Sequence, residues 1–210
     1  GTCAGYLCYI YSEYIGSEQV TEENALSPKI LSIDTSIADG YINLRKEMAF
    51  SEGNIIDEIP AVSSNELLVL MDFDENWKAV LVKSNDSTID GKVGFVYSGN
   101  GYTNIKYDGN NEWYDSNQKE MLVGGNGGNI NVRNEAIIDS SNQVTTVSYG
   151  DNVTVLFSTY SEEWTIIATE DHVGFISTQY IISSEEFVPN TTIQMFTTAD
   201  LNLRSSANIT

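Results

Sequence analysis

The stretch that decides the fold is residues 129–182, which contains four short segments in a fixed order: NINVR at 129–133, YGDNVTVLF at 149–157, EWTIIA at 163–168 and VGFISTQYI at 173–181. Apolar, β-branched and aromatic residues dominate these segments, and polar turn residues separate them. None of them has the period of an amphipathic helix. The stretch therefore predicts a small unit of about five or six short β-strands.

The same landmarks occur earlier in the chain, as YINLR at 41–45, NWKAV at 76–80 and VGFVYS at 93–98. The step from the arginine to the tryptophan is 32 residues in the earlier copy (45 to 77) and 31 in the later one (133 to 164). Chance rarely preserves such spacing, so the pattern indicates a tandem repeat. The opening landmark appears a third time as DLNLRSSA at 200–207.

We therefore predict an all-β fold made of two tandem small barrels, each closing independently, with partial repeats at both ends. The first barrel spans residues 38–105 and the second residues 129–187, joined by a Gly/Asn-rich linker at 106–128. Residues 1–37 form an N-terminal segment that contains either the end of a preceding repeat or a plain tail, followed by a linker with one helical turn at 21–26. Residues 188–210 form a linker and the start of a further repeat.

The charge balance limits the partners. Thirty acidic residues against ten basic ones give a net charge of −20, which repels the phosphates of nucleic acid and anionic membrane surfaces. An acidic surface selects no ligand by itself and is also a common route to solubility. The chain contains no apolar run of about 20 residues that could cross a bilayer and no intact signal peptide, although a signal sequence removed upstream is compatible with this pattern.

Side chains for catalysis or metal binding are sparse. His172 lies in a predicted hairpin turn, and Cys3 and Cys8 form a single pair without the second pair expected of a zinc site. Adjacent acidic residues lie in turns or linkers, and DGNNE at 108–112 lacks the alternating ligands of a calcium loop. We expect no catalytic residue, no metal and no cofactor.

The ordered motifs resemble the bacterial SH3-like (SH3b) domain. The residues that carry the resemblance, as motif positions in the two full copies and in the third opening strand, are Asn43, Leu44, Arg45, Trp77, Gly94, Phe95, Val96, Asn131, Val132, Arg133, Trp164, Gly174, Phe175, Ile176, Tyr180, Ile181 and Arg204. The resemblance covers about 120 of 210 residues. It departs from the family after each arginine, where KEM and NEA replace the usual SGPS. It implies two SH3-like barrels in a noncatalytic module of a secreted or cell-surface bacterial protein, often a cell-wall hydrolase, that binds peptidoglycan or its peptide stems.

The candidate ligand-binding residues are aromatic and lie near predicted loops: Trp77, Tyr97, Trp164 and Tyr180. A ring at such a position either contacts a sugar or peptide or covers its own core. The repeated arginines, glycines and phenylalanines are predicted to be structural anchors, with the arginines donating to backbone carbonyls: Arg45, Gly94, Phe95, Arg133, Gly174, Phe175 and Arg204. Three aromatic residues in the linker, Tyr107, Trp113 and Tyr114, either dock onto a barrel or stack on a ligand.

We expect a noncatalytic binding region whose partner is peptidoglycan, a cell-wall peptide or another surface protein. The alternative is a structural spacer or protein-interaction array that binds no glycan. An enzyme with an unrecognised active site is a third hypothesis.

Overall fold

The computed structural model describes residues 27–187, apart from residues 110, 126 and 159, and two short strands near the N-terminus. The predicted third repeat with Arg204, the helical turn at 21–26, Cys8 and most of the N-terminal fragment lie outside the described residues. The two short strands, β1 (Thr2–Cys3) and β2 (Tyr6–Leu7), pair with each other in antiparallel fashion.

The described strands after residue 27 form two antiparallel sheets of seven strands each. The first sheet contains β3 (Ile30–Ile33), β4 (Tyr41–Arg45), β5 (Ile55–Pro60), β6 (Glu66–Asp72), β7 (Trp77–Lys83), β8 (Val93–Tyr97) and β9 (Thr103–Tyr107). Helix α1 (Asn111–Asn117) follows. The second sheet contains β10 (Lys119–Val123), β11 (Asn129–Arg133), β12 (Gln143–Ser148), β13 (Asn152–Phe157), β14 (Trp164–Ala168), β15 (Val173–Ser177) and β16 (Ile181–Ile182).

The two sheets have the same strand order. It runs β5-β4-β8-β7-β6-β3-β9 in the first sheet and β12-β11-β15-β14-β13-β10-β16 in the second. Each strand of the first sheet therefore corresponds to the strand of the second sheet whose number is higher by seven, as β4 corresponds to β11. Both sheets also carry a register shift directly before the repeated arginine, between Leu44 and Arg45 and between Val132 and Arg133. Such bulges bend a strand locally, and their recurrence at one position shows that the copies share backbone detail as well as sequence.

The all-β prediction is confirmed, but closed barrels are not found: each sheet is an open series of strands. The structure also differs from the expected linkers. Strand β3 lies in the segment expected to be a linker before the first repeat, and α1 and β10 lie within residues 106–128. Because β3 and β10 pair with strands distant in the sequence, local composition did not reveal them.

Each sheet packs apolar side chains on its own inner face. In the first sheet, Ile42 and Leu44 of β4 point inward as their alternation predicts and join Val80 and Val82 of β7 in one cluster. The equivalent cluster of the second sheet includes Val132 of β11 and Ile167 of β14. Burial of these faces is the main favourable term in forming each sheet.

A third cluster joins the two sheets and corrects the expectation that each copy closes independently. It contains Phe95 and Phe175, both fully buried, together with side chains from the outer faces of β6, β7, β13 and β14. The central hairpin strands are therefore buried on both faces. This explains why their sequences, such as AVLV at 79–82, are continuously apolar instead of alternating.

Helix α1 lies against both sheets. Trp113, which is 7% exposed, packs in the shared cluster with its ring centroid 5.6 Å from that of Phe157 in β13. The hydroxyl of Tyr114 accepts a hydrogen bond from the backbone N–H of Lys29 and donates one to the carbonyl of Val69 in β6. Of the two hypotheses for the linker aromatics, docking is therefore correct for Trp113 and Tyr114.

Candidate functional site

The repeated landmarks meet at one place in each sheet. Arg45 of β4 pairs across the ladder with Phe95 of β8, and Arg133 of β11 pairs in the same way with Phe175 of β15. The glycine before each phenylalanine permits this close approach. A Cβ added to Gly94 would lie 2.8 Å from the carbonyl oxygen of Arg45.

Each arginine then holds the loop that follows it. Arg45 Nη1 donates to the carbonyl oxygens of Ala49 and Ser51, at 3.3 and 3.1 Å. Arg133 Nη1 donates to the carbonyl of Asp139 and, at 2.9 Å, to Oδ1 of Asn142. Burial lowers the pKa of Arg45 from its usual value, but an arginine stays charged under all ordinary conditions. The guanidinium groups are thus engaged inside the protein.

A buried asparagine completes the loop in both copies. Asn54 and Asn142 each lie nine residues after the arginine, and they are 4% and 5% exposed. The side-chain amide of Asn54 donates to the carbonyls of Glu47 and Ala49. Asn142 does the same for the carbonyl of Ile137. Sequence reasoning missed this pair, although the equal spacing was available as a signal.

The first sheet has an open cleft of about 380 Å³ beside this loop. Its floor is strand β4, which contributes Asn43 and Arg45. Phe50 from the loop and Tyr97 from the end of β8 form its walls, and Tyr102 and Asp39 line it as well.

Three rings that line this first cleft, those of Phe50, Tyr97 and Tyr102, form an aromatic cluster with Trp77, which lies beneath them. Phe50 is 70% exposed, yet its ring centroid lies 5.2 Å from Trp77 and 5.1 Å from Tyr97. Tyr97 in turn lies 6.2 Å from Tyr102. The guanidinium carbon of Arg45 is 5.5 Å from the Phe50 centroid, a cation–π distance that holds this exposed ring in place.

The second sheet has a larger cleft, of about 680 Å³, in the equivalent position. Strand β11 contributes Asn131 and Arg133, and the following loop contributes Ile138, which is 86% exposed. The half-buried rings of Trp164 and Tyr180 line it from the other side.

The two clefts correspond residue by residue on the arginine side. Five pairs of positions line both clefts, each pair separated by 88 residues: 41 and 129, 42 and 130, 43 and 131, 45 and 133, and 50 and 138. The walls differ: the position of Tyr97 is taken by Ser177, and Phe50 is replaced by Ile138. The clefts therefore share a floor but present different surfaces to a ligand.

The turn before each tryptophan strand is closed by a side-chain oxygen. Oδ1 of Asp74 accepts the backbone N–H groups of Trp77 and Asn76, both at 2.7 Å. Ser161 Oγ accepts the N–H of Trp164 at 3.0 Å, three residues ahead as in the first copy. The hydrogen bond from the backbone N–H of Trp77, and to a lesser extent the one from Asn76, holds the pKa of Asp74 below its usual range.

The predicted binding residues fall into two pairs, one on each sheet. Tyr97 lines the first cleft, whereas Trp77 is 8% exposed and lies beneath Phe50 and Tyr97 without lining it. Trp164 and Tyr180 lie together in the second cleft. Sequence reasoning missed Phe50 and Ile138, although a large apolar residue five positions after each arginine was a detectable signal.

Other candidate groups do not converge. His172 lies in the β14–β15 turn, where its Nε2 is 3.4 Å from Glu47. Among the described residues, no group of three or more His, Cys, Asp or Glu side chains is arranged to hold a metal ion. In the same part of the chain, no helix has the length and apolar character required to cross a membrane.

No family model matches this chain, and no curated protein matches it. Among solved structures, it is similar to NlpC2 from Trichomonas vaginalis, with a TM-score of 0.28 and 9% identity over 75% of this chain and 48% of that one. It is also similar to NlpC1 from the same organism, with a TM-score of 0.27 and 11% identity over 80% of this chain and 47% of that one. The chain thus spans about half the length of these structures. Membership of the bacterial SH3-like family stays a prediction.

Proposed function

We propose that this chain is a noncatalytic binding region, built from two SH3-like modules, that binds peptidoglycan or its peptide stems through the two clefts. The proposal also includes that the chain is part of a secreted or cell-surface bacterial protein. The observation that carries the proposal is the recurrence of an open cleft at the same position of both repeats. Core packing alone does not require an exposed apolar side chain at this position in both copies.

The exposed side chains at the cleft mouths support a binding role. Phe50 and Ile138 are 70% and 86% exposed, and each lies beside aromatic rings that offer flat apolar surface. Leaving such side chains in water costs free energy that a ligand covering them recovers. Asn131, on the floor of the second cleft, provides an amide group for hydrogen bonds to a sugar or peptide.

Two weak sites on one chain would reinforce each other. A polymer that engages one cleft raises the effective concentration of its next unit at the other cleft, so the combined affinity exceeds either single affinity. Peptidoglycan is a polymer of this kind. Its repeated stems therefore suit a protein with two repeated clefts.

Co-sedimentation with purified peptidoglycan tests the proposal. The double variant Phe50→Ala/Ile138→Ala removes both exposed cleft side chains and replaces no buried residue. We expect the wild type to sediment with peptidoglycan and this variant to lose most of its retention. The matched control is Val62→Ala/Ile105→Ala, which removes two exposed apolar side chains outside the clefts. Equal retention of both variants would contradict the proposal.

The shared core favours one alternative, a structural spacer that holds other domains at a fixed separation. Side chains from both sheets and Trp113 of α1 form one buried cluster, which resists bending between the sheets. The spacer hypothesis predicts no retention of the wild type on peptidoglycan. It also predicts that nuclear relaxation gives the two sheets a single rotational correlation time.

A further inference from the structure

The second cleft differs from the first in its charged lining. Glu162 and Glu163, which immediately precede β14, both line the second cleft and are exposed. At the corresponding positions before β7 the first sheet has Glu75 and Asn76, and neither lines the first cleft. The second cleft thus carries two carboxylates next to the half-buried ring of Trp164.

Neither carboxylate is engaged by another side chain or backbone group that the structure describes. In the described part of the chain, no hydrogen bond or ion pair involves either side chain. Arg133, the cationic side chain that lines this cleft, directs its guanidinium to the carbonyl of Asp139 and to Asn142 instead. The carboxylates are therefore available to a ligand, and the net charge of −20 adds attraction for a cation at longer range.

The rest of the lining fits an apolar chain that ends in a cation. The rings of Trp164 and Tyr180 and the exposed side chain of Ile138 offer apolar surface beside the carboxylates. An indole face attracts cations through its quadrupole, and a carboxylate forms a charge-assisted hydrogen bond with an ammonium group. An anionic ligand would instead meet two like charges.

We infer that the second cleft binds a peptide through a primary ammonium group, which lies against Glu162 and Glu163 while the adjoining apolar part covers Trp164. The inference rests on the proposed function and names the chemical class that this cleft selects. The ammonium comes either from a lysine-like side chain or from a free peptide amino terminus. The first cleft is lined by one exposed carboxylate, Asp39, and has no counterpart of the Glu162–Glu163 pair, so we expect it to bind an ammonium group more weakly.

The test is a titration of the isotope-labelled whole chain with short peptides, followed by the indole N–H resonance of Trp164. The probe is the tripeptide Ala-Lys-Ala with both ends blocked, compared with the same peptide acetylated on the lysine amine. We expect acetylation to weaken binding by roughly threefold or more, the size expected for exposed ion pairs. If acetylation leaves binding of the blocked peptide unchanged and a peptide with a free amino terminus binds no more tightly, the inference is overturned.

A third peptide, Ala-Ala-Ala with a free amino terminus, separates the two sources of the ammonium. Binding of this peptide assigns the site to amino termini, and binding of the lysine peptide alone assigns it to side-chain amines. Either result supports the inference. Failure of both peptides to shift the Trp164 resonance contradicts it.

Matched charge variants distinguish a local contact from the overall charge. The double variant Glu162→Gln/Glu163→Gln should weaken binding of the lysine peptide as much as acetylation of the lysine amine does. Glu170→Gln/Asp171→Asn makes the same charge change in an exposed turn at the other end of β14, and it should leave binding unchanged. Equal loss in both variants would overturn the inference. Peptidoglycan retention by the wild type, measured alongside, shows whether the proposed function survives such a result.

Discussion

The ammonium of Lys92, before strand β8, lies 3.5 Å from the carboxylate of Glu135 on the second sheet. The reciprocal contact joins His172, before β15, to Glu47 on the first sheet at 3.4 Å. Lys92 and His172 each stand two residues before the repeated glycine, and Glu47 and Glu135 each stand two residues after the repeated arginine. The two sheets therefore contact each other through equivalent surfaces, as in an isologous dimer whose halves are joined by a linker.

Lys92 should contribute to stability in a pH-dependent way. Burial alone lowers its pKa, but the hydrogen bond and charge of Asp57, with a smaller effect of Glu135, outweigh it and raise the pKa above the usual value. Lys92 therefore contributes fully to the free energy of unfolding at pH values below about 10.4, the pKa of a lysine in the unfolded chain. This contribution is lost as the pH rises through the higher pKa of Lys92 in the folded protein. We expect Lys92→Met to lower the free energy of unfolding near neutral pH, with the difference from wild type shrinking above pH ~10.4.

A double-mutant cycle with Lys92→Met and Glu135→Gln isolates the contact between the sheets. The side chains are partly exposed, so the coupling energy should be below about 1 kcal/mol and should fall with added salt. Urea unfolding of the four proteins measures it. A coupling that does not change with salt would show that the pair acts through packing instead of charge.

Gly94 and Gly174 should not tolerate a side chain. A Cβ on Gly174 would lie 2.5 Å from the carbonyl oxygen of Arg133, and Leu44 and Arg45 crowd Gly94 in the same way. We expect Gly174→Ala to destabilise the fold by about 1–3 kcal/mol, the usual cost of overpacking. The control is Gly53→Ala, where a Cβ meets no atom within 4 Å. Similar midpoints of thermal unfolding for both variants would refute this steric account.

Removing the hydroxyl of Tyr114 should loosen the attachment of α1. Tyr114→Phe leaves the N–H of Lys29 and the carbonyl of Val69 without that partner, which should cost about 1–3 kcal/mol. Burial is the main reason that the pKa of this hydroxyl is raised, which agrees with its enclosed position. Tyr102→Phe is a control, because no hydrogen bond to its hydroxyl is present among the described residues. Chemical denaturation compares the two variants.

The turn before Trp77 should weaken in acid. The pKa of Asp74 is lowered in the folded protein. Asp74 therefore stabilises the fold at pH values above about 3.9, the pKa of an aspartate in the unfolded chain, and this stabilisation is lost as the pH falls through the lower pKa of the folded state. Asp74→Ala should therefore differ from wild type at neutral pH and converge with it at low pH. Ser161→Ala, which removes the neutral counterpart, should lower stability by about 0.5–1.5 kcal/mol at every pH. Parallel pH profiles for the two variants would be inconsistent with this assignment.

Much of the fold was predictable from the sequence because its strongest signals are local. The landmark segments at 76–80 and 93–98 contribute to the paired strands β7 and β8, and those at 163–168 and 173–181 contribute to the paired strands β14 and β15. Strands β3 and β10 were missed because their partners lie far away in the chain and their flanking residues are polar. Strand propensity depends on such packing partners more than on the segment itself.

The shared core and the clefts were harder to predict for a related reason. Continuous apolar runs in β7 and β14 indicate burial on both faces, but they do not say what covers the second face. Tyr97, Trp164 and Tyr180, which line the clefts, were singled out in the sequence because aromatic residues at strand ends are conspicuous. Phe50 and Ile138 lie in loops without strand signals, and only alignment of the two arginines shows that they are equivalent.

The most direct test of the central claim is a titration of the isotope-labelled protein with soluble peptidoglycan fragments, monitored at backbone and indole N–H groups. If the repeated clefts are the binding sites, shifts should cluster around Phe50 and Tyr97 on one sheet and around Ile138, Trp164 and Tyr180 on the other. Shifts confined to other surfaces, or no shifts at concentrations at which peptidoglycan sediments with the protein, would contradict the account.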